Sequence, residues 1–146
     1  MMSQIDRARH YAKLVGETRM YEALLDTMAD AIVITGLELD RPGPIVTFVN
    51  RVFEQMSGYK RADLIGSDPR RLQGPQTDPV ELARMKATLS AGEIFSGEVI
   101  NYAKDGQTYL MAWTIVPVRN SAGAFTCWLA VQNNISRDLK AALATR

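Results

Sequence analysis

Side chains able to make or break bonds are scarce in this chain. It has one histidine, His10, and one cysteine, Cys127. A lone histidine leaves no Ser/His/Asp set and no His-rich metal site, and a lone cysteine leaves no Cys-x-x-Cys pair and no internal disulfide. The carboxylates Glu81, Glu93, Glu98 and Asp105 fall on expected helix surfaces, turns or the sheet's edge, where they read as solvated charges rather than a paired acid and base. No Walker-type glycine loop occurs. The expectation is a chain that is not an enzyme. The richest stretch runs from Gly66 to Asp78, GSDPRRLQGPQTD, and two tryptophans, Trp113 and Trp128, lie further along.

Those residues need elements to hold them. Ala31 to Gly36 and Ile45 to Val49 are short β-branched runs around the breaker-rich Leu39-Asp40-Arg41-Pro42-Gly43-Pro44, and predict a first hairpin. The period then changes to that of helices over Asn50 to Ser57, Arg61 to Ile65 and Pro79 to Ala91, with Leu82, Met85, Ala87 and Leu89 inward and Gly92 closing the last helix. Three longer strands are expected at Ser96 to Ala103, Thr108 to Val118 and Ala124 to Asn133, joined by turns at Asp105-Gly106 and Ala122-Gly123. Strand parity puts Trp128, Ala130 and Gln132 on one face and Cys127 on the other, where a lone cysteine reads as a small apolar side chain.

Ahead of the first strand, Ile5, Ala8, Ala12 and Val15, then Tyr21, Leu24, Leu25 and Met28, recur at helical spacing, with a break near Gly16 and Thr18 as a candidate cap. Ile135, Leu139, Ala142 and Leu143 mark a short closing helix. The division expected is a helical extension over residues 1–28, a central domain over 29–134 and a terminal helix over 135–146.

The 146 residues suit a single core, and the function expected of them is binding, switching or pairing. A net charge of +1, from 17 basic and 16 acidic residues, gives no broad field for nucleic acid or anionic lipid. No apolar run approaches the roughly 20 residues needed to cross a bilayer, and the N-terminus lacks a signal peptide's apolar middle. A cytoplasmic protein is expected, without nucleic-acid or membrane partners.

The stretch GSDPRRLQGPQTD resembles the signature of the flavin-binding light-oxygen-voltage (LOV) branch of the PAS sensor family, with Asp68-Pro69 where that signature has Asn-Cys. The resemblance extends from about Asp30 to Leu139. It includes Phe48-Val49-Asn50-Arg51-Val52-Phe53, Ser57-Gly58-Tyr59, Leu64-Ile65-Gly66, Ile100-Asn101-Tyr102, Lys104-Asp105-Gly106, Val116-Pro117-Val118 and Val131-Gln132-Asn133. It implies an α+β PAS fold, a five-stranded antiparallel sheet with helices on one face and flanking helices at both ends. It also implies an FMN pocket, and Pro69 has no nucleophilic atom to make the family's cysteine adduct.

On this resemblance Arg70 and Lys86 take the positions that bind the flavin phosphate, lysine keeping the charge without the planar fork. Asn101, Met111 and Gln132 take the positions of the polar ring contacts, with Met111 replacing an asparagine. Gln73 stands where the ribityl chain would be bonded, and Asp68, in place of the family's asparagine, would repel the flavin's carbonyl oxygen. Trp113 and Trp128 replace phenylalanines at the ring, where they could fill the space, stack on a ring as electron donors, or serve as core packing. Two readings stay open: an FMN-binding sensor signalling by flavin photoreduction without the adduct, or a flavin-free PAS module for protein interaction. Both predict a homodimer through the helices and the outer sheet face, and a separate signalling protein is the further partner.

Overall fold

The computed structural model describes residues 3–7 and 17–136. A helix α1 (Glu17–Asp26) leads into β1 (Ala31–Thr35) and β2 (Val46–Val49). Two short helices follow, α2 (Arg51–Ser57) and α3 (Arg61–Leu64), then a 3₁₀ turn (Pro69–Leu72) and α4 (Pro79–Ser90). The chain closes with β3 (Phe95–Tyr102), β4 (Thr108–Arg119) and β5 (Phe125–Asn134). The strands form one sheet in the order β2-β1-β5-β4-β3, and every pairing is antiparallel. The last strand thus enters between the first hairpin and the later meander, so residues far apart in sequence become neighbours at the sheet's centre.

Local chemistry explains the boundaries. Asp78 caps α4 by accepting from Val80 N at 2.9 Å, and Pro79 behind it has no amide to leave unsatisfied. Gly92 takes the left-handed φ of +74° that ends this helix, and Gly106 does the same, at +86°, in the β3–β4 turn. Asn50 is the joint of the first half. Fully buried, it accepts through Oδ1 from Ile32 N (2.9 Å) and Phe53 N (3.0 Å), and donates through Nδ2 to Leu25 O (2.8 Å) and Asp30 O (2.9 Å). One side chain thereby ties the end of α1, the approach to β1 and the start of α2.

Two expectations need correction. Thr18 lies inside α1 (Glu17–Asp26) rather than at its cap. Ala87 is exposed; the inward stripe of α4 is Leu82, Met85 and Leu89, at the three- and four-residue spacing of one helix face. His10, Ala8, Ala12, Val15 and Gly16 lie outside the described residues, as do Leu139, Ala142 and Leu143.

The main core lies between the sheet's inner face and the helices, with Val33, Phe53, Leu64, Leu72, Leu89, Phe95, Ile115, Trp128 and Ala130 buried. A smaller cluster of Val99, Tyr109 and Met111 fills the space near the β3–β4 turn, and Trp113 packs against both.

Candidate functional site

Between the sheet and α4 the main core opens into a cleft of about 290 Å³. That is the small end of the roughly 300–1,000 Å³ usual for ligand sites. Its floor is the inner face of β1, β5 and β4, through Val33, Trp113, Ile115, Trp128, Ala130 and Gln132. One wall is α4, through Leu82, Met85, Lys86 and Leu89, and the other is the 3₁₀ turn with the β1–β2 loop.

Eight of the ten residues singled out in the sequence line this cleft: Asp68, Pro69, Arg70, Gln73, Lys86, Trp113, Trp128 and Gln132. Asn101 and Met111 do not. Both are buried, and Asn101 Nδ2 donates to Met111 Sδ at 3.4 Å. The pair belongs with Val99 and Tyr109 in the smaller cluster, where Met111 fills the volume next to the Asn101 amide. Burial there pushes the Tyr109 phenol up to about 12.

The signature divides into two working parts. Its second half fixes the loop to β3. Thr77 Oγ1 donates to Ile100 O (2.7 Å) and accepts from Gly74 N (3.0 Å), while Gln76 N donates to Tyr102 Oη (2.9 Å). Gly74 lies so close to the Tyr102 ring that any Cβ there would collide with it. Its first half faces the cleft, and there the charges are already matched. Asp68 caps the 3₁₀ turn by accepting from Arg70 N at 2.9 Å, and its other oxygen accepts from Arg70 Nη1. The same guanidinium donates to the backbone carbonyls of Gly43 and Leu39, the latter at 2.7 Å, and so clasps the β1–β2 loop. Lys86 forms an ion pair with Asp40 on that loop. The Lys86 ammonium, by hydrogen bond and by charge, holds the Asp40 carboxyl below its ordinary range, and the charge of Arg70 adds to this. Trp128 Nε1 donates to Leu37 O at 3.2 Å, a further tie to the loop.

The floor is the opposite case. Gln132 and Trp113 face each other across β5 and β4. Gln132 is 95% buried, being 5% exposed, yet its Oε1 has no hydrogen-bond partner, and neither has the buried Nε1 of Trp113. Leaving such groups unpaired costs about 1–3 kcal/mol each. An acceptor and a donor side by side in an apolar cleft fit the polar edge of a flat heteroaromatic ring. The ring portion of FMN therefore fits the residues present, whereas its phosphate would meet cations that protein carboxylates already hold. Cys127 is half-buried and absent from the cleft lining. Asp40, and the Leu39 and Gly43 carbonyls, were missed from the sequence. The signal for Asp40 was an acid in the one breaker-rich loop following β1.

Among the described residues no helix is long and apolar enough to cross a membrane, and no cluster of potential metal ligands occurs. The PAS domain family profile matches residues 29–137. Phototropin-2 of Oryza sativa subsp. japonica is 28% identical over 113 residues, 77% of this chain and 12% of that protein. The nitrogen fixation regulatory protein of Klebsiella pneumoniae is 32% identical over 119 residues, 82% of this chain and 24% of that protein. The chain thus spans a quarter or less of these two curated relatives. Among solved structures, a light-oxygen-voltage domain studied with a flavin analogue superposes with a TM-score of 0.72 at 28% identity, covering 84% of this chain and 90% of that one.

Proposed function

We infer the function from the premise that the chain belongs to the PAS domain family: it is a sensory module of LOV type that holds a flavin-class ring in the cleft and signals without a cysteine adduct. The observation that carries this reading is the unpaired Oε1 of Gln132, buried in an apolar cleft beside the unpaired Nε1 of Trp113. A ring whose edge donates to Gln132 and accepts from Trp113 would satisfy both. Pro69 lines the cleft with no atom able to bond to the ring, so any signal must come from its redox or protonation state.

Bound flavin would supply absorption of blue light and one-electron chemistry. The chain's own part is to stack on the ring with Trp128, orient its edge with Trp113, exclude water with Leu82, Met85 and Leu89, and let Gln132 respond to the ring's changed hydrogen bonding. Gln132 pairs with Ala31 on one side and with Trp113 on the other, so its rearrangement would reach the middle of the sheet directly. We read the output as pairing rather than catalysis. On α1, Met20, Tyr21 and Leu24 are each more than half exposed, an apolar patch suited to a second copy of the chain or to a separate signalling protein in the cytoplasm.

The test is the absorption spectrum of purified protein incubated with flavin and then desalted. The structured blue-light band of oxidised flavin should survive desalting. A featureless spectrum would favour the flavin-free interaction module, which the pairing of Arg70 and Lys86 with Asp68 and Asp40 also favours. In that case deleting residues 1–28 should abolish self-association, and added flavin should leave the melting temperature unchanged.

A further inference from the structure

The mouth of the cleft holds two cations and two anions, all paired. Arg70 is committed to Asp68 and to the Leu39 and Gly43 carbonyls, and Lys86 to Asp40. The Arg70–Asp68 pair is largely shielded, with side-chain exposures of 28% and 21%, and the Lys86–Asp40 pair is open, at 53% and 72%. A phosphate entering here would have to share each cation with a carboxylate already bound to it, Asp68 in the 3₁₀ cap and Asp40 on the clasped loop, and both carboxylates would stay close by on short tethers. Like charges held this near weaken binding, the shielded Asp68 more than the solvent-screened Asp40.

We propose that this cleft selects an unphosphorylated flavin, of the riboflavin class, over flavin mononucleotide, because Asp68 and Asp40 occupy the cations that a phosphate would need. The proposal rests on the reading of the cleft as a flavin-ring site and sharpens it to a chemical class. The floor offers an acceptor at Gln132 and a donor at Trp113 for the ring edge. Gln73 lines the route outward, where a neutral, hydroxyl-bearing side chain can bond without bringing charge. The loop clasped by Arg70, Lys86 and Trp128 then closes over a neutral ligand with its ion pairs intact.

The experiment is a titration of the full chain with riboflavin, FMN and lumichrome, the last a bare tricyclic ring, following quenching of flavin fluorescence, in wild type and in Asp40→Asn. Asp40 is exposed and its carboxylate is tied to Lys86, while its backbone bonds to Gly43 N and Glu38 Oε1 do not depend on the side chain, so the variant should fold normally. Riboflavin should bind at least about tenfold more tightly than FMN, the scale of a modest charge repulsion. Asp40→Asn should narrow that gap by strengthening FMN binding relative to riboflavin binding. Equal or tighter binding of FMN by the wild type would overturn the proposal and leave the flavin-sensor reading standing. Failure of all three ligands to bind would overturn both.

Discussion

The floor and the mouth of the cleft solve opposite problems. At the mouth every charge has a partner, and Arg70 has three. On the floor Gln132 Oε1 and Trp113 Nε1 have none, although they are buried and a strand pair places them side by side. Arg61 Nε and Tyr109 Oη are also buried without a partner, but neither lines this cleft; two adjacent polar groups left unpaired in its apolar space point to something other than the fold as their partner. The contrast also separates two kinds of residue that the sequence resemblance joined in one list. Arg70 and Lys86 hold a loop, while Gln132 and Trp113 present unpaired polar atoms to the cleft.

Removing the indole that joins floor and mouth should have the largest effect. Trp128 is 7% exposed, stacks on Phe125 with centroids 6.2 Å apart, and bonds the loop at Leu37. Trp128→Ala should destabilise the domain by about 3–5 kcal/mol in chemical denaturation, the usual cost of emptying a large aromatic site.

Next comes the filled cluster beyond Trp113. Tyr109 keeps its proton to about 12 because burial disfavours the phenolate, while in the unfolded chain it titrates near the ordinary value of 10.0. Below pH 10 both states hold the proton and the full stability is present. As pH rises from 10 to 12 the unfolded chain ionises first and stability falls, by up to about 3 kcal/mol. Denaturation midpoints across that range should show the fall in wild type and lose this component in Tyr109→Phe.

The smallest effect should come from the exposed pair at the mouth. Lys86→Ala should change stability by no more than about 1 kcal/mol, as solvent-exposed pairs do, with the thermal midpoint as readout. A much larger loss would mean that the mouth is a structural keystone rather than a set of weak ties.

Much of the fold could be read from the chain because it is written locally. β-branched runs, the Asp105-Gly106 turn and the Asp78-Pro79 helix start each act within a few residues, and the corresponding boundaries fall within about two residues of those expected. Parity likewise put Trp128, Ala130 and Gln132 on one face, where all three line the cleft. The ion pairs were not legible for a physical reason. Lys86 meets Asp40 across 46 positions of sequence, and Arg70 turns back on Asp68 only because the 3₁₀ turn brings them together. Nor could spacing show that Asn101 would be taken up by Met111, a contact between residues on neighbouring strands β3 and β4.

The decisive measurement is the affinity of the flavin ring for Gln132→Leu set beside wild type, together with the stability of each protein without ligand. If the floor is a ligand site, Leu removes an unpaired acceptor from the empty protein at little cost or a small gain, while ring affinity drops by roughly tenfold or more, the worth of one buried hydrogen bond. Equal affinity in the two proteins would contradict the assignment of Gln132 as the ring's partner, and with it the cleft's role as a flavin-class sensor site.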